Sequence, residues 1–317
     1  MSQPLVNDPA NIRLAMLGMV AGNGHPYSWS AIINGRYDAA AIAGGGYPQI
    51  NAYLQDQPLG LPGVRVTHVW CDQATDAERV ARAAFIPHVV AAPDDVIGQV
   101  DAVVIATDWG HEHLERARPF IEAGVPVLID KPLTDRADHL AQFVKWHRAG
   151  RAFLSTSCLR YAREFAAARA AGGEWRLLTM TTPKSWERYG IHALEGVYPF
   201  LRPGGWESVT NTGTATANIV HIRHADGADV VLAAIQELTG AFGQLSLYGT
   251  NETRHVAFRD TLFAFTAQLA AFVQYLRTGV SPVLFAETVE LMKIIIAGSR
   301  SRTDGGRRVP VTEILCE

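Results

Sequence analysis

Residues 100–133 read VDAVVIATDWGHEHLERARPFIEAGVPVLIDKPL, and the fold follows from this stretch. Val103, Val104 and Ile105 form an unbroken apolar run, as in a strand buried on both faces. From His113 to Ala123 the apolar positions are Leu114, Ala117, Phe120 and Ile121, a helical spacing, and Gly124 supplies the stop. Val125 to Ile129 reads as a second buried strand. Strand, helix and strand in this order predict two parallel strands joined by a right-handed crossover. Ligands in open parallel sheets sit outside the carboxyl ends of the strands. Two polar clusters fall there: Thr107-Asp108-Trp109 and Asp130-Lys131-Pro132. A lysine at such a rim is either a solvated surface charge or a reacting group.

Upstream, Ile12 to Leu17 is a short apolar strand that runs into a glycine-rich turn, Gly18-Met-Val20-Ala-Gly22-Asn23-Gly24-His25. Such a turn after the first strand, opening a helix, predicts dinucleotide binding. The glycines let the backbone approach a pyrophosphate, and the helix N-terminus supplies N–H donors. Val20 stands where the second glycine of G-x-G-x-x-G belongs, so Gly22 and Gly24 are expected to supply the close approach. Residues 35–63 carry Gly44-Gly45-Gly46, Pro48, Pro58 and Pro62 and read as an inserted loop. The next strand, Val64 to Cys71, leads to Asp72, which is expected to bond the adenosine ribose. A rival reading makes Asp38 that acid and residues 39–43 the second strand. Asp72 would repel a 2′-phosphate and no arginine directly follows it, so NAD is favoured, with NADP possible.

Downstream of Lys131 a helix over 135–148 and a strand over 152–156 continue the alternation expected of a doubly wound parallel sheet. Beyond residue 157 the segments lengthen and alternate: 175–182, 209–223, 229–238 and 243–248, with Asp226-Gly227 as a hairpin turn. Helices follow near 261–278 and 286–302, and Val309-Pro-Val ends the chain as an edge strand. The fold class is α/β. A Rossmann domain over 1–156 precedes an α+β domain over 157–317 whose large sheet is mostly antiparallel.

The chain's 317 residues, 48% of them apolar, allow a sizeable core, and a net charge of −3 gives no electrostatic reason to expect nucleic acid or a membrane surface. No apolar run approaches a membrane span. The start, MSQPLVNDPANIR, lacks the features of a signal peptide. Cys71, Cys158 and Cys316, odd in number and far apart, argue for reduced thiols in a cytoplasm. His111 and His113 have H-x-H spacing, but a metal site needs more ligands. No metal is expected, and His113 is read as capping its helix near the cofactor.

The opening stretch resembles the glucose–fructose oxidoreductase / inositol dehydrogenase / rhizopine-catabolism family, whose members carry A-T-P-x-x-x-H…A-L-E-A-G-K-H-V-x-x-E-K-P. The matching residues are Ala106, Thr107, His113, Ile121-Glu122-Ala123-Gly124 and Asp130-Lys131-Pro132. Asp130 replaces the usual Glu, and the loop before His113 is one residue longer. The resemblance extends to Trp186–Glu195, where Ile191, Leu194, Tyr198 and Leu201 mark a helix. Spacing alone leaves His192 open as a helix-start histidine bonded to the acid Glu195. The family carries D-x-x-x-H there, so His192 matches the histidine and Glu195 an acid three residues on, while Arg188 stands in place of the Asp.

The resemblance implies an NAD(P)-dependent oxidoreductase of a divergent branch, acting on a secondary alcohol of a sugar, polyol or inositol-like substrate. Removing a proton from oxygen suits a neutral imidazole, and an ammonium stabilises the developing alkoxide. His192 is therefore expected as general base or acid and Lys131 as its electrostatic partner, with Tyr189 and Glu195 as relays. Ser157–Tyr161 resembles the family's N-x-R-F segment. On that basis Arg160 and Tyr161 hold substrate oxygens, or else form an interdomain ion pair. Lys184 and Trp186 are candidate substrate contacts, and Trp109 either flanks the nicotinamide or adenine or walls the cleft. The family often assembles as homodimers or homotetramers. Two alternatives remain at this point: transient oxidation by bound NAD in glycoside cleavage or elimination, and a non-catalytic NAD-binding sensor.

Overall fold

A computed structural model describes residues 3–316. The first half runs β1 (Ile12–Leu17), α1 (His25–Asn34), α2 (Ala39–Gly44), α3 (Pro48–Leu54), β2 (Val64–Trp70), α4 (Ala74–Ala84), β3 (His88–Val89), β4 (Ala102–Ile105), α5 (His113–Glu122), β5 (Val127–Ile129), α6 (Ala137–Arg148) and β6 (Phe153–Leu154). Its six strands lie in the order β3-β2-β1-β4-β5-β6 and pair in parallel. The order reverses beside β1, and that crevice between β1 and β4 is where a doubly wound sheet takes its ligand. Every residue of β4 and β5 is buried, as their unbroken apolar runs require.

The second half continues with α7 (Arg163–Ala170), β7 (Trp175–Pro183), α8 (Trp186–Val197), β8 (Trp206–Asn211), β9 (Ala217–His224), β10 (Asp229–Ile235), β11 (Gln244–Gly249), β12 (Thr253–Ala257), α9 (Thr261–Thr278), α10 (Phe285–Thr303) and β13 (Val309–Pro310). Its seven strands run β12-β11-β7-β10-β9-β8-β13, antiparallel except for the β7–β10 pair. Helices α8 and α10 pack on one face. The other face stays half open, as the alternating burial of β7, β9 and β10 shows. Helix α9 returns to pack on α1 and α3 of the first half.

Two sequence expectations change. The 35–63 insertion is not a plain loop: it folds into α2 and α3, with Ile42, Ile50 and Leu54 buried. Its glycines and prolines bound two short helices, which made the segment read as structureless. Asp38 caps α2 by accepting from the Ala41 amide, so residues 39–43 are helix and the rival ribose acid is removed. The span 209–223 is two strands, β8 and β9, and β12 completes the sheet edge.

Candidate active site

The glycine turn is shaped by Gly18, whose φ is +82° and where a Cβ would lie 2.7 Å from the Thr107 methyl. Only glycine lets the end of β1 pass that close to the end of β4. Among the described residues, the amides of Met19, Val20 and Ala21 have no hydrogen-bond partner. Three consecutive free amides in a turn are donors available to an anion, as a dinucleotide's pyrophosphate requires.

The helix beyond contributes less than the sequence suggests. The His25 amide is taken by the Asn23 side chain, Pro26 has no N–H, and the Tyr27 and Ser28 amides go to the Gly24 carbonyl. Gly24 serves packing: a Cβ there would strike Ile50 and Tyr47 of the insertion, at 2.6 and 2.7 Å. Asn23 and His25 also turn inward. Asn23 donates to the Ala106 carbonyl and to Asp130, and the His25 Nδ1 lies 2.7 Å from Asp130 Oδ2. His113 is fully buried, with one ring nitrogen 2.9 Å from the Thr107 carbonyl and the other 2.8 Å from that of Pro132. It ties the turn after β4 to the turn after β5 and does not face the cofactor crevice as a helix cap.

Asp72 stands past the end of β2, where a ribose acid belongs, and accepts from Arg116 of α5 at 2.9 Å. Beside this pair lies a cavity of about 370 Å³ bordered by Leu17, Trp70, Asp94, Pro119 and Phe120. Its place at the β1–β2 tips and its apolar walls fit an adenine. The spacing of the sequence gives no hint of Arg116, which lies 44 residues from its partner.

Lys131 and Asp108 are both 1% exposed at the side chain. Lys131 Nζ lies 3.4 Å from Asp108 and 3.8 Å from Asp130. Burial works against its charge, but the two carboxylates outweigh it and its pKa ends above the usual lysine value. Asp108 gathers two further cations from the second half: Arg188 at 2.6 Å and Lys184 at 3.9 Å. Burial alone would raise the Asp108 pKa; Lys131, Arg188 and Lys184 reverse that and hold it well below the ordinary carboxylate range. Arg188 also donates to the Ala21 carbonyl and stacks over Trp109, its guanidinium carbon 5.0 Å from the ring centroid.

Lys184 adopts a left-handed φ of +64°, a strained conformation for a residue with a side chain. Its ammonium donates to the Gly22 carbonyl at 2.9 Å and to the Tyr189 hydroxyl at 2.8 Å. Desolvation, partly offset by Asp108, lowers its pKa to about 8. The second half thus meets the glycine turn through two cations on adjoining carbonyls.

The ring of Tyr189 stands between the two expected catalytic groups. Lys131 Nζ lies 4.7 Å from its centroid, and the His192 ring meets it edge-on at 4.8 Å. His192 is 3% exposed; burial, and then the charge of Lys131, hold its pKa well below 6.5, so it is neutral. Its Nδ1 lies 2.6 Å from the Ser157 hydroxyl, a partner whose spacing in the chain gave no signal. Glu195 does not relay protons at this ring. It accepts from the Ser157 amide at 2.9 Å and from Arg160, and so fixes the serine behind the histidine. Arg160 bridges Glu195 and Glu287, both of the second half, so its ion pairs lie within that half and not between the two as the sequence alternative had it. Trp186 is fully buried and donates to the Ile295 carbonyl, so it supports the core and does not face substrate. Among the described residues the buried Tyr161 hydroxyl has no hydrogen-bond partner, and desolvation pushes it up to about 12.

Known proteins resemble this chain in part of its sequence and in its fold. Residues 39–154 match an oxidoreductase family with an NAD-binding Rossmann fold. An inositol 2-dehydrogenase from Rhodococcus erythropolis is 39% identical over 103 residues, 32% of this chain and 30% of that protein. The chain therefore matches about a third of that relative's length. A scyllo-inositol dehydrogenase from Lactobacillus casei with bound NAD(H) and scyllo-inositol superposes with a TM-score of 0.74 at 12% identity, over 95% of this chain and 99% of that one. An oxidoreductase from Agrobacterium radiobacter in complex with NAD+, L-tartaric acid and magnesium gives 0.71 at 14%, over 96% and 100%. At such identities the two structures establish the shared fold. The sequence match to the oxidoreductase family covers about a third of the chain, from α2 to β6, and begins after the glycine turn.

Proposed function

We propose that the protein is an NAD-dependent dehydrogenase that oxidises a secondary alcohol of an inositol-like, polyol or sugar substrate, or reduces the matching ketone. The observation that carries this reading is the set of buried Lys131 and His192 with the half-buried Tyr189 between them, which joins the rim of β5 to α8 beside the glycine turn. A nicotinamide cofactor, when bound, supplies the hydride acceptor. Met19, Val20 and Ala21 would hold its pyrophosphate, and Asp72 with the cavity beside Trp70 would hold its adenosine.

Each side chain has a role its environment supports. His192, neutral by burial, takes the alcohol proton. Lys131, kept charged by Asp108 and Asp130, stabilises negative charge on the substrate oxygen. Tyr189, bonded to Lys184, orients the hydroxyl between them. Three free, buried cysteines suit a reducing cytoplasm. The half-open sheet face, which exposes Ile219 and Tyr248, suits assembly with a second copy as a homodimer or homotetramer.

The test follows NADH absorbance while NAD is mixed with a panel of inositols, other polyols and sugars. Lys131→Ala should lower kcat by about a thousandfold on the best substrate while NADH binding stays near normal. A chain that binds NADH and oxidises nothing in the panel, or an unchanged kcat in Lys131→Ala, overturns the proposal.

A further inference from the structure

Arg116 is one residue the reading above leaves without a role. Its guanidinium spans the tips of two strands. Nη2 donates to Asp72 past the end of β2, and Nη1 lies 3.4 Å from where a Cβ on Gly18 would sit, just past β1. Glu112, one turn earlier on the chain, holds its Nε at 2.9 Å. The same guanidinium borders the cavity beside Trp70. An adenosine ribose whose hydroxyls meet Asp72 would therefore lie against Arg116.

We propose that Asp72 and Arg116 together set the choice between NAD and NADP: Arg116 is a built partner for a 2′-phosphate that Asp72 keeps occupied. Two carboxylates, Asp72 and Glu112, flank one guanidinium, so the local charge is negative and a 2′-phosphate is repelled. Neutralising Asp72 leaves the cation balanced by Glu112 alone and frees the Nη2 hydrogen that Asp72 holds, while the Nη2 contact with Glu112 remains. A guanidinium fork then meets a phosphate in a charge-assisted, bidentate geometry. Selectivity thus rests on one ion pair, and not on the lack of an arginine after β2. The pair is accessible to a ligand: its side chains are 22% and 39% exposed.

This inference rests on the dinucleotide reading above, and direct binding of NADH and NADPH by calorimetry, with no substrate present, separates the two. The wild-type chain should bind NADH more tightly than NADPH. Asp72→Ser should shift the preference toward NADPH by about tenfold or more. Asp72→Ser with Arg116→Gln should lose that gain, and Asp72→Ser with Arg116→Lys should keep part of it. Should Asp72→Ser still bind NADH yet gain nothing for NADPH, or should the gain survive Arg116→Gln, Arg116 is not the selecting partner. A wild-type chain that binds neither nucleotide refutes the dinucleotide reading itself.

Discussion

Asp108 and Asp130 stand just past the ends of neighbouring strands, are equally buried, and share Lys131, yet their other partners differ in kind. Asp130 is held within the first sheet by Asn23, His25 and the Lys131 amide. Asp108 takes its further partners, Arg188 and Lys184, from the second half of the chain. One carboxylate closes the fold behind the glycine turn, while the other collects charge from across the crevice. The contrast teaches that position in a sheet does not fix a carboxylate's task; the origin of its counter-charges does.

The largest effect that could break this contrast is on stability. Asp130→Ala takes from Lys131 one of its two buried carboxylates and from Asn23 and His25 their shared acceptor, and should cost about 3 kcal/mol in urea unfolding. Asp108→Asn should cost clearly less in the same experiment, because Arg188 and Lys184 are 13% and 22% exposed and can turn to water. Equal losses would erase the distinction.

A smaller effect concerns pH. Burial lowers the pKa of Lys184 to about 8 in the folded chain, against 10.5 when unfolded. Between those values the unfolded chain holds a proton that the folded chain has released, so stability contributed by this site rises with pH across that window. Below about 8 both forms are charged and the burial penalty is fully present. Lys184→Met should flatten the rise when unfolding is followed from pH 8 to 10.5; an unchanged slope would show that another group carries it.

The smallest effect is at the exposed rim. Trp109→Leu removes the ring under Arg188 and should cost about 0.5–1 kcal/mol, read as a small drop in Tm. A larger loss would mean that the second half depends on the rim more than on Asp108.

Much of this was legible in the chain because it is local. Apolar runs marked β4 and β5, and the spacing of Leu114, Ala117, Phe120 and Ile121 marked α5, whereas Lys131 and His192 were left open by position and were singled out by the family resemblance. Partners far apart in sequence were not legible. Ser157 meets His192 from 35 residues away and Arg116 meets Asp72 from 44, and no periodicity reports such pairs. Polarity also misled where a side chain is satisfied inwardly. Asn23, His25 and Glu195 look like site groups, but each spends its hydrogen bonds on the frame. Gly24 read as an approach point for phosphate because sequence cannot show the Tyr47 and Ile50 side chains seated over it.

The Ser157 hydroxyl governs the tautomer of the imidazole before it. Its oxygen already accepts from the Leu159 amide, and a hydroxyl oxygen can accept once more while its hydrogen points elsewhere. By turning about its Cβ–Oγ bond, the serine can receive a hydrogen from Nδ1 of His192 or give one to it. The far nitrogen of the imidazole is then bare in one tautomer and protonated in the other, with the ring itself unmoved. A single rotor at the back of the ring thereby lets one rigid framework present either a bare or a protonated nitrogen on the other side.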